Sequence, residues 1–227
     1  MLDVGQGESV LLRCGDSWTL VDCGGDSMDN AGDIAADYIR SMGGQRLDLL
    51  VITHFHDDHA NGVPQLLERV PVDAIAFPAA AEESPLKGAI LSAAEEKQIA
   101  LYEIGEDRTV TLEGESLRLF APLGAGETNE EGLSVLATSG DFDVLITGDM
   151  GGDVEQLLLE HTQMPHVEVL VAGHHGSKYS TSSELLSAIQ PETAVISVGA
   201  DNRYGHPAQE TLERLAAAGT ELYRTDL

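Results

Sequence analysis

Apolar and β-branched residues recur along the first half of the chain in runs that predict short strands separated by helices. Residues 8–13 and 18–21 are β-rich and flank a Gly-Asp-Ser turn, which predicts a β-hairpin. Helical spacing of apolar residues predicts helices over 26–42, 62–70 and 82–97. Strands are predicted over 47–53, 72–77, 100–104, 109–112 and 117–120.

The second half alternates more regularly between the two kinds of element. Strands are predicted over 133–138, 143–147, 167–172 and 194–198, and helices over 152–161, 182–189 and 208–217. A strand-rich start followed by strict alternation fits two sheets covered by helices better than one parallel sheet. We therefore expect an α/β fold of one domain, residues 1–227, in which 124–132 is a loop and not a domain boundary.

The charge balance restricts how such a domain could meet nucleic acid. Its 12 Lys and Arg residues face 39 Asp and Glu residues, which gives a formal net charge of −27 at pH 7. A DNA duplex would be repelled by most of such a surface, and this excludes a generic basic DNA-binding face. Any contact with nucleic acid must therefore be local.

Cysteine positions and hydropathy predict neither a disulfide nor insertion of this segment into lipid. Cys14 lies beside the hairpin turn and Cys23 at its far end, too far apart to bridge, so we expect two buried thiols. The chain has no apolar run of about 18 residues and no signal-peptide pattern. Strand-like residues follow Met1 directly, which is typical of a soluble fragment of a larger protein.

Histidines and aspartates are concentrated in the segment T-H-F-H-D-D-H at 53–59, directly after a predicted buried strand. Imidazole and carboxylate groups are the ligands of borderline divalent ions such as Zn²⁺ and Mn²⁺. In an extended segment His54 and His56 point to the same side and can bind one ion, while Asp58 and His59 follow after a turn and can reach a second. The alternative, a set of solvated loop histidines, does not account for three of the eight histidines lying within six residues.

Other strand ends deliver similar groups. Asp149 follows the apolar run 144–146, where its carboxylate can bridge two cations or, alternatively, cap the next helix. His174 and His175 end the run 169–172, and His206 lies beyond the strand 194–198. His or Asp residues at the ends of four strands predict an active site at the rim of a sheet.

Six motifs in order along the chain carry a family resemblance. Three of them resemble the metallo-β-lactamase superfamily: His-x-His-x-Asp-His at 54–59, Leu-Val-Asp-Cys-Gly-Gly at 20–25 and Thr-Gly-Asp at 147–149. Three more resemble the C-terminal domain of the ComEC family of DNA-uptake competence proteins: Leu-Asp-Val-Gly-Gln-Gly at 2–7, His-His-Gly-Ser at 174–177 and Asn-Arg-Tyr-Gly-His-Pro at 202–207. The resemblance implies a four-layer αββα sandwich with two divalent ions, Mn²⁺ or Zn²⁺, at the shared edge of its sheets.

Carried over by position, the resemblance implies a first ion on two histidines, a second ion on an aspartate and a histidine, and a bridging carboxylate. These are, in order, His54 and His56, Asp58 and His59, and Asp149. His174 or His175 would complete the second ion's ligands, but neighbouring residues on a strand point opposite ways, so only one of them would bind it. The other could contact the scissile phosphate or its leaving oxygen.

The chain departs from the superfamily pattern in one place. Many members supply a further histidine to the first ion, but no histidine lies between His59 and Asp149, and Asn129 falls about where it would be. The same feature resembles the ComEC branch. The first ion then has a more open shell, which favours Mn²⁺ or loosely held Zn²⁺.

The expected chemistry is attack by a metal-activated hydroxide that Asp58 orients, with His175 or His206 near the leaving oxygen. Asp22 would lie behind the centre and fix a ligand histidine, or simply form a turn before two glycines. Candidate substrate contacts occupy the loops that bear the motifs; they are Ser177, Lys178, Asn202, Arg203 and Tyr204, with Tyr179 as a further ring that could stack on bases. Ordinary helix capping, solvated charges and packing are the alternatives. With aromatics at only 4%, weak and sequence-independent contact with the DNA backbone is expected over base readout.

The leading hypothesis is a DNA nuclease domain that degrades the strand not taken up during transformation. By resemblance it would lie on the extracytoplasmic face of the bacterial membrane, as part of an integral membrane protein whose channel portion is its partner. One alternative keeps the metals but changes the substrate to a small phosphodiester, a phospholipid headgroup, a lactam or a thioester. Another is a non-catalytic, metal-stabilised domain of a DNA-uptake channel.

Overall fold

The computed structural model describes residues 1–26, 30–79, 83–124 and 132–227. The N-terminal half begins with a hairpin and continues with alternating helices and strands. Its elements are β1 (Val10–Cys14), β2 (Ser17–Val21), α1 (Ala31–Ser41), β3 (Leu49–Val51), α2 (Asp57–Ala60), α3 (Val63–Arg69), β4 (Ala74–Pro78), α4 (Pro85–Glu96) and β5 (Ala100–Ile104).

The C-terminal half opens with four strands and then alternates. Its elements are β6 (Arg108–Leu112), β7 (Glu115–Phe120), β8 (Ser134–Ser139), β9 (Phe142–Ile146), α5 (Gly152–His161), β10 (Val169–Val171), a 3₁₀ turn (Gly173–Gly176), α6 (Ser183–Ile189), β11 (Thr193–Ile196), α7 (Gln209–Ala218) and β12 (Glu221–Arg224).

Two sheets form the middle layers, in the order β1-β2-β3-β4-β5 and β12-β11-β10-β9-β8-β7-β6. Apolar side chains between the sheets make one core, which includes Val51, Leu119 and Ile146. The outer face of each sheet packs against helices and forms an apolar core of its own, through residues such as Ile39 on α1 on one side and Leu158 on α5 on the other. The predicted four-layer αββα sandwich is confirmed.

Most predicted elements are present, with shifted ends where a cap decides the boundary. Helix α1 begins at Ala31, five residues later than predicted, because the Asn30 side chain accepts a hydrogen bond from the Gly32 amide and caps it. Helix α2 and strand β12 were not predicted. The helix is a single turn of four residues, and β12 pairs only with β11 at the sheet edge, where every second residue is exposed.

Both cysteines are free, as predicted, although Cys14 is only half-buried while Cys23 is buried. Over the residues that the structure describes, none of the helices combines the length and the apolar character that crossing a bilayer requires.

The topology brings the carboxyl ends of several parallel strands to one edge of the sandwich. Strands β2 and β3 run parallel in one sheet, and β9, β10 and β11 run parallel in the other. Hydrogen bonds tie the two sheets together there, from the Leu133 amide to the Thr53 carbonyl (2.9 Å) and from the Ser197 hydroxyl to the Gly7 carbonyl (2.6 Å). Loops that leave these strand ends therefore converge from both sheets.

Candidate metal centre

The histidine-rich segment leaves β3 in an extended conformation and turns into α2 at His56. His54 and His59 are buried, while His56 is exposed. Their rings cluster, with centroids 4.7 Å apart for His54 and His56 and 4.1 Å apart for His54 and His59. The period of two thus places His54 and His56 together, and the turn of α2 brings His59 back beside them.

Asp149 is the carboxylate on which the histidines converge. It follows β9 and is buried. Its oxygens lie 3.0 Å from His59 Nε2, 3.8 Å from His54 Nε2, 3.6 Å from His174 Nε2 and 3.9 Å from His175 Nε2. Residues from both sheets meet at this one side chain.

His174 and His175 reach the centre from the Gly173–Gly176 turn. Both adopt the left-handed backbone conformation, with φ of 51° and 54°. The two residues therefore do not alternate along a strand, and the reason given for expecting a single ligand is wrong; that only one of them binds the ion stays a prediction. Consecutive non-glycine residues in this conformation are costly and concentrate at functional sites.

The two rings of this turn have different surroundings. His175 is buried, with Nε2 3.4 Å from Asp58 Oδ2 and Nδ1 3.0 Å from the Ser197 carbonyl. The His174 side chain is 34% exposed, and its ring lies 5.6 Å from that of His206. His175 therefore lies inside the cluster and His174 on its open side.

The ligand-type atoms fall into two groups that share Asp149. In each group the atoms lie within 4.8 Å of one another. The groups are Asp58, His59, Asp149 and His175, and His54, His56 and Asp149.

Buried polar atoms that lack a hydrogen-bond partner indicate whether these two groups of residues could hold a cation. His54 Nε2, His59 Nε2, His175 Nε2 and Asp149 Oδ1 are buried and have no hydrogen-bond partner among the described residues; His59 Nε2 and Asp149 Oδ1 lie 3.0 Å apart without the alignment of a hydrogen bond. Leaving a buried polar atom unsatisfied costs roughly 1–3 kcal/mol. His59, His175 and Asp149 belong to one ligand group, and His54 shares the other with Asp149. A divalent metal in each group would give these atoms a partner, since imidazole nitrogen and carboxylate oxygen are suitable ligands for it.

Asp22 supports His59 from the side away from Asp149. Asp22 Oδ2 lies 2.7 Å from His59 Nδ1, and its carboxylate accepts hydrogen bonds from the Thr53 amide (2.7 Å) and hydroxyl (2.6 Å). A carboxylate on one ring nitrogen fixes the tautomer and turns the other nitrogen toward the centre. Asp22 also has a positive φ of 59°, so the two roles considered for it, turn residue and histidine support, are both present in its geometry.

Burial and opposing charges move the pKa values of the cluster apart. Burial lowers the pKa of His54 well below its usual range. Burial also disfavours a charged His59, but the neighbouring carboxylates, Asp149 foremost, hold its pKa well above that range. Burial would raise the pKa of both aspartates, yet the charge of His59 holds that of Asp149 well below its usual range, and contact with His175 lowers that of Asp58 to about 2. Both aspartates are therefore ionised at neutral pH, the form that binds cations.

Sequence reasoning missed Glu8, a buried acid beneath the centre. Its Oε1 has no hydrogen-bond partner among the described residues, and its carboxylate groups with Asp22 and His59. Burial raises its pKa to about 7. A carboxylate at the start of an apolar strand that forms the hairpin was the available signal. Asn129, which stood where a further histidine was expected, lies outside the described residues.

The predicted substrate contacts divide by exposure. Lys178, Arg203 and Tyr204 are exposed. Ser177 is buried and its hydroxyl accepts from the Tyr179 amide. The Asn202 side chain donates to the carbonyls of residues 199 and 206 and accepts from the amides of 204 and 206, so it holds its own loop. The contacts of Ser177 and Asn202 are thus internal, and their substrate roles stay predictions.

A buried acid and an arginine also hold the loop that follows His175. The Glu155 carboxylate accepts from the amides of Thr181 (2.5 Å) and Ser182 (2.8 Å). The Arg214 guanidinium donates to three carbonyls of the same loop, those of residues 178, 180 and 181. Neither residue was singled out from sequence, because each lies in a helix with no motif around it.

Two curated relatives match nearly the whole chain. It is 28% identical over 243 residues to ComE operon protein 3 of Bacillus subtilis (strain 168), and 31% identical over 228 residues to competence protein ComA of Neisseria gonorrhoeae. The matches cover 100% and 99% of this chain but only 31% and 30% of the relatives. The chain therefore spans less than a third of the length of these relatives.

A similar solved structure and a family match both agree with what the motifs of the chain predict. The metallo-beta-lactamase fold protein YhfI from Bacillus subtilis matches with a TM-score of 0.66 and 12% identity, covering 98% of this chain and 94% of that one, a likeness that concerns the fold alone. Residues 2–200 match the family described as the metallo-beta-lactamase superfamily. Because this match extends over most of the sequence and includes the candidate centre, the chain belongs to the metallo-beta-lactamase superfamily.

Proposed function

We propose that this metallo-hydrolase domain, residues 1–227, is a metal-dependent nuclease that cleaves DNA during uptake in natural competence. The observation that carries the proposal is the pair of ligand groups that share Asp149, with four buried unpartnered atoms among their members. Two-metal sites of this kind serve phosphoryl transfer in phosphatases and nucleases. The relative from Neisseria gonorrhoeae, named a competence protein, supplies the DNA-uptake context.

The grouping of the ligands supports an assignment of two metal positions. His54, His56 and Asp149 would hold one ion. Asp58, His59, Asp149 and His175 would hold the other, with His175 as the ligand because its Nε2 is buried and unpartnered. Mn²⁺ or Zn²⁺ bound there would polarise a phosphoryl oxygen and supply a nucleophile from water at neutral pH.

The remaining roles belong to groups on the open side. Asp58 is ionised and half-buried, so it can accept a hydrogen bond from the attacking water and set its direction. With His175 among the ligands, His206, whose ring lies beside that of His174, becomes the group near the leaving oxygen. Asp22 fixes the ring of His59.

The biological setting extends the proposal. The domain would degrade the strand that is not taken up, at the extracytoplasmic face of the membrane, beside a channel portion of the same polypeptide. Its sequence relatives are about three times longer than this chain, which leaves room for such a portion in their case. A net charge of −27 favours weak contact with DNA in isolation and delivery of the strand by the channel.

Cleavage of end-labelled DNA by the isolated chain tests this function. Single- and double-stranded substrates are incubated with Mn²⁺, Zn²⁺ or Mg²⁺, beside His56→Ala and Asp58→Ala variants. We expect cleavage with Mn²⁺ or Zn²⁺ that both substitutions abolish. If no metal supports cleavage by the unmodified chain, the nuclease function is wrong.

A small phosphodiester is the second candidate substrate, favoured by the net negative charge of the body. Hydrolysis of bis(p-nitrophenyl) phosphate without any action on DNA would support it. The absence of a histidine between His59 and Asp149 favours the third candidate, a metal-stabilised domain without catalysis. Metal binding without hydrolysis of either substrate would support that role.

A further inference from the structure

A polar cavity opens directly beside the candidate metal centre. Its volume is about 450 Å³, within the range of small-molecule sites of about 300–1,000 Å³. Asp58 forms part of its wall, so the cavity is continuous with the centre. The other lining residues used below are Asp26, Asp57, Asn61, Asp201, Arg203 and Tyr204.

An exposed aromatic ring stands at the wall of this cavity. The Tyr204 side chain is 58% exposed, and its ring stacks on that of His206 at a centroid distance of 5.9 Å and an interplanar angle of 27°. His206 in turn lies against His174 at 5.6 Å, and His174 Nε2 is 3.6 Å from Asp149. A line of rings thus runs from Tyr204 at the solvent to the carboxylate shared by both ligand groups.

The charges of the lining decide what can enter. Four aspartates and a single arginine face the cavity, so a second phosphate group placed there would be repelled. Carboxylate oxygens are hydrogen-bond acceptors, which suit the amino and imino hydrogens of a nucleobase, whereas the Asn61 amide is already bonded to the backbone of Gly25. The lining therefore admits the uncharged part of a nucleotide and repels the charged part.

We propose that this cavity takes one unpaired nucleobase, stacked on Tyr204, of the nucleotide next to the phosphate at the metal centre. The proposal rests on the nuclease function above and deepens it by assigning the substrate class. The Arg203 guanidinium, 5.6 Å from the Tyr204 ring centroid, has no ion pair within the described ranges and is exposed, so it is available to a following phosphate that stays outside the cavity.

Strand preference follows from this geometry. A base inside a duplex is paired and stacked, and moving it into a pocket requires unpairing and unstacking. The cavity therefore selects single strands and frayed ends over intact duplex. Because stacking uses the face that every base has, the selection concerns pairing state and depends little on sequence.

The test compares two substrates and three variants with Mn²⁺. The substrates are a labelled single-stranded oligonucleotide and bis(p-nitrophenyl) phosphate, which has no base. The variants are Tyr204→Ala, Tyr204→Phe and Tyr102→Ala, the last being a control tyrosine of similar exposure (56%) on β5. The readout is the ratio of kcat/KM on DNA to kcat/KM on the small diester.

We expect this ratio to fall about five- to 150-fold in Tyr204→Ala, the range that corresponds to stacking of one base on an aromatic ring. It should stay near the wild-type value in Tyr204→Phe, which keeps the ring, and in Tyr102→Ala. A single abasic residue in the oligonucleotide should slow wild-type cleavage at the adjacent phosphate and have little further effect in Tyr204→Ala.

Each contrary result has a distinct meaning. An unchanged ratio in Tyr204→Ala, with DNA cleaved, overturns the base cavity and leaves the nuclease function intact. Equal loss on both substrates also overturns it, because the ring would then serve the loop and not the base. No cleavage of DNA by the wild-type chain overturns the nuclease function, and the inference with it.

Discussion

The candidate metal centre has a floor of buried residues and a rim of exposed ones. The floor comprises Asp22, His54, His59, Asp149 and His175, and the rim comprises Lys178, Arg203 and Tyr204. The two regions differ in how firmly their side chains are held. On the floor, His59 is buried between Asp149 and Asp22, and Asp22 is bound to the amide and hydroxyl of Thr53. On the rim, Lys178 and Tyr204 are exposed; Lys178 lies over the ring of Tyr179, and the Tyr204 ring stacks on that of His206. Chemistry at a metal needs groups fixed in place in advance, whereas capture of a flexible strand does not.

Charge separates the two regions as well. The floor gathers carboxylates that only cations can neutralise, whereas the rim carries two of the chain's 12 basic residues, Lys178 and Arg203. Two bound divalent cations would add +4 at the floor and make the edge locally attractive on a body of −27. The acidity of the chain thus counts against independent capture of DNA and much less against its cleavage.

The largest expected effect comes from the shared carboxylate of the floor. Asp149→Asn removes a charge that both ligand groups use. We expect kcat/KM for DNA cleavage to fall on the order of 10³-fold or more, because the lost metal contact is worth several kcal/mol. Metal content by mass spectrometry should fall with it, and metal should no longer raise the melting temperature.

The control for this substitution is Asp153→Asn, an exposed aspartate in the first turn of α5. It should leave activity and metal content at wild-type values. If Asp149→Asn keeps both metals and full activity, the floor does not depend on its shared carboxylate, and the contrast with the rim fails.

Asp22→Asn tests whether the floor needs its support as well as its ligands. Asparagine tolerates the positive φ of 59° at this position, but it presents one oxygen where the carboxylate accepts three contacts. We expect a loss of about 10- to 100-fold in metal affinity or activity, which is typical of groups that orient a metal ligand.

Asp22→Ala separates the backbone from the carboxylate. It adds left-handed strain to the loss of contacts, so its unfolding free energy should fall below that of Asp22→Asn in chemical denaturation. Equal metal affinity in Asp22→Asn and wild type would show that His59 orients without help.

The fold was largely predictable because it depends on repeating patterns. Apolar periodicity placed both sheets and all the longer helices, and β5 and α5 have the predicted limits at 100–104 and 152–161. Short elements escaped because periodicity needs length. The four residues of α2 and the edge strand β12 carry too few apolar positions to be recognised.

The site was predictable where side chains belong to motifs and not where backbone conformation decides. The cluster at 54–59 and Asp149 come together as the strand ends predicted. Strand alternation at His174 and His175 was wrongly expected because two consecutive left-handed residues have no signature in ordinary side chains. Glu8 and Glu155 escaped because a buried acid differs from an exposed one only through its tertiary partners.

Glu155→Gln tests whether floor and rim are mechanically linked, because the loop that Glu155 holds runs from His175 to Ser182. The amide has one acceptor oxygen for two backbone N–H groups, so one of them loses its partner. We expect the unfolding free energy to fall by roughly 1–3 kcal/mol. Metal affinity and DNA binding should weaken together.

Glu184→Gln, an exposed glutamate in the first turn of α6, is the matched control and should change neither quantity. Loss of DNA binding alone in Glu155→Gln would show that the loop divides into independent parts. The position of the His175 ring in the floor would then depend on its bond to the Ser197 carbonyl and not on Glu155.

The smallest effects are expected on the rim, where Lys178→Ala and Arg203→Ala each remove one exposed charge. Each should weaken binding of single-stranded DNA severalfold at low salt and reduce the slope of log K against log salt by about 0.7, the value for one phosphate contact on a single strand. Fluorescence anisotropy with a labelled oligonucleotide over a salt series measures this slope, and Lys97→Ala, remote and paired with Glu68 at 2.8 Å, should leave it unchanged. If neither rim substitution changes the slope, the metals alone attract the phosphates of DNA. The rim would then have no role of its own in binding the strand.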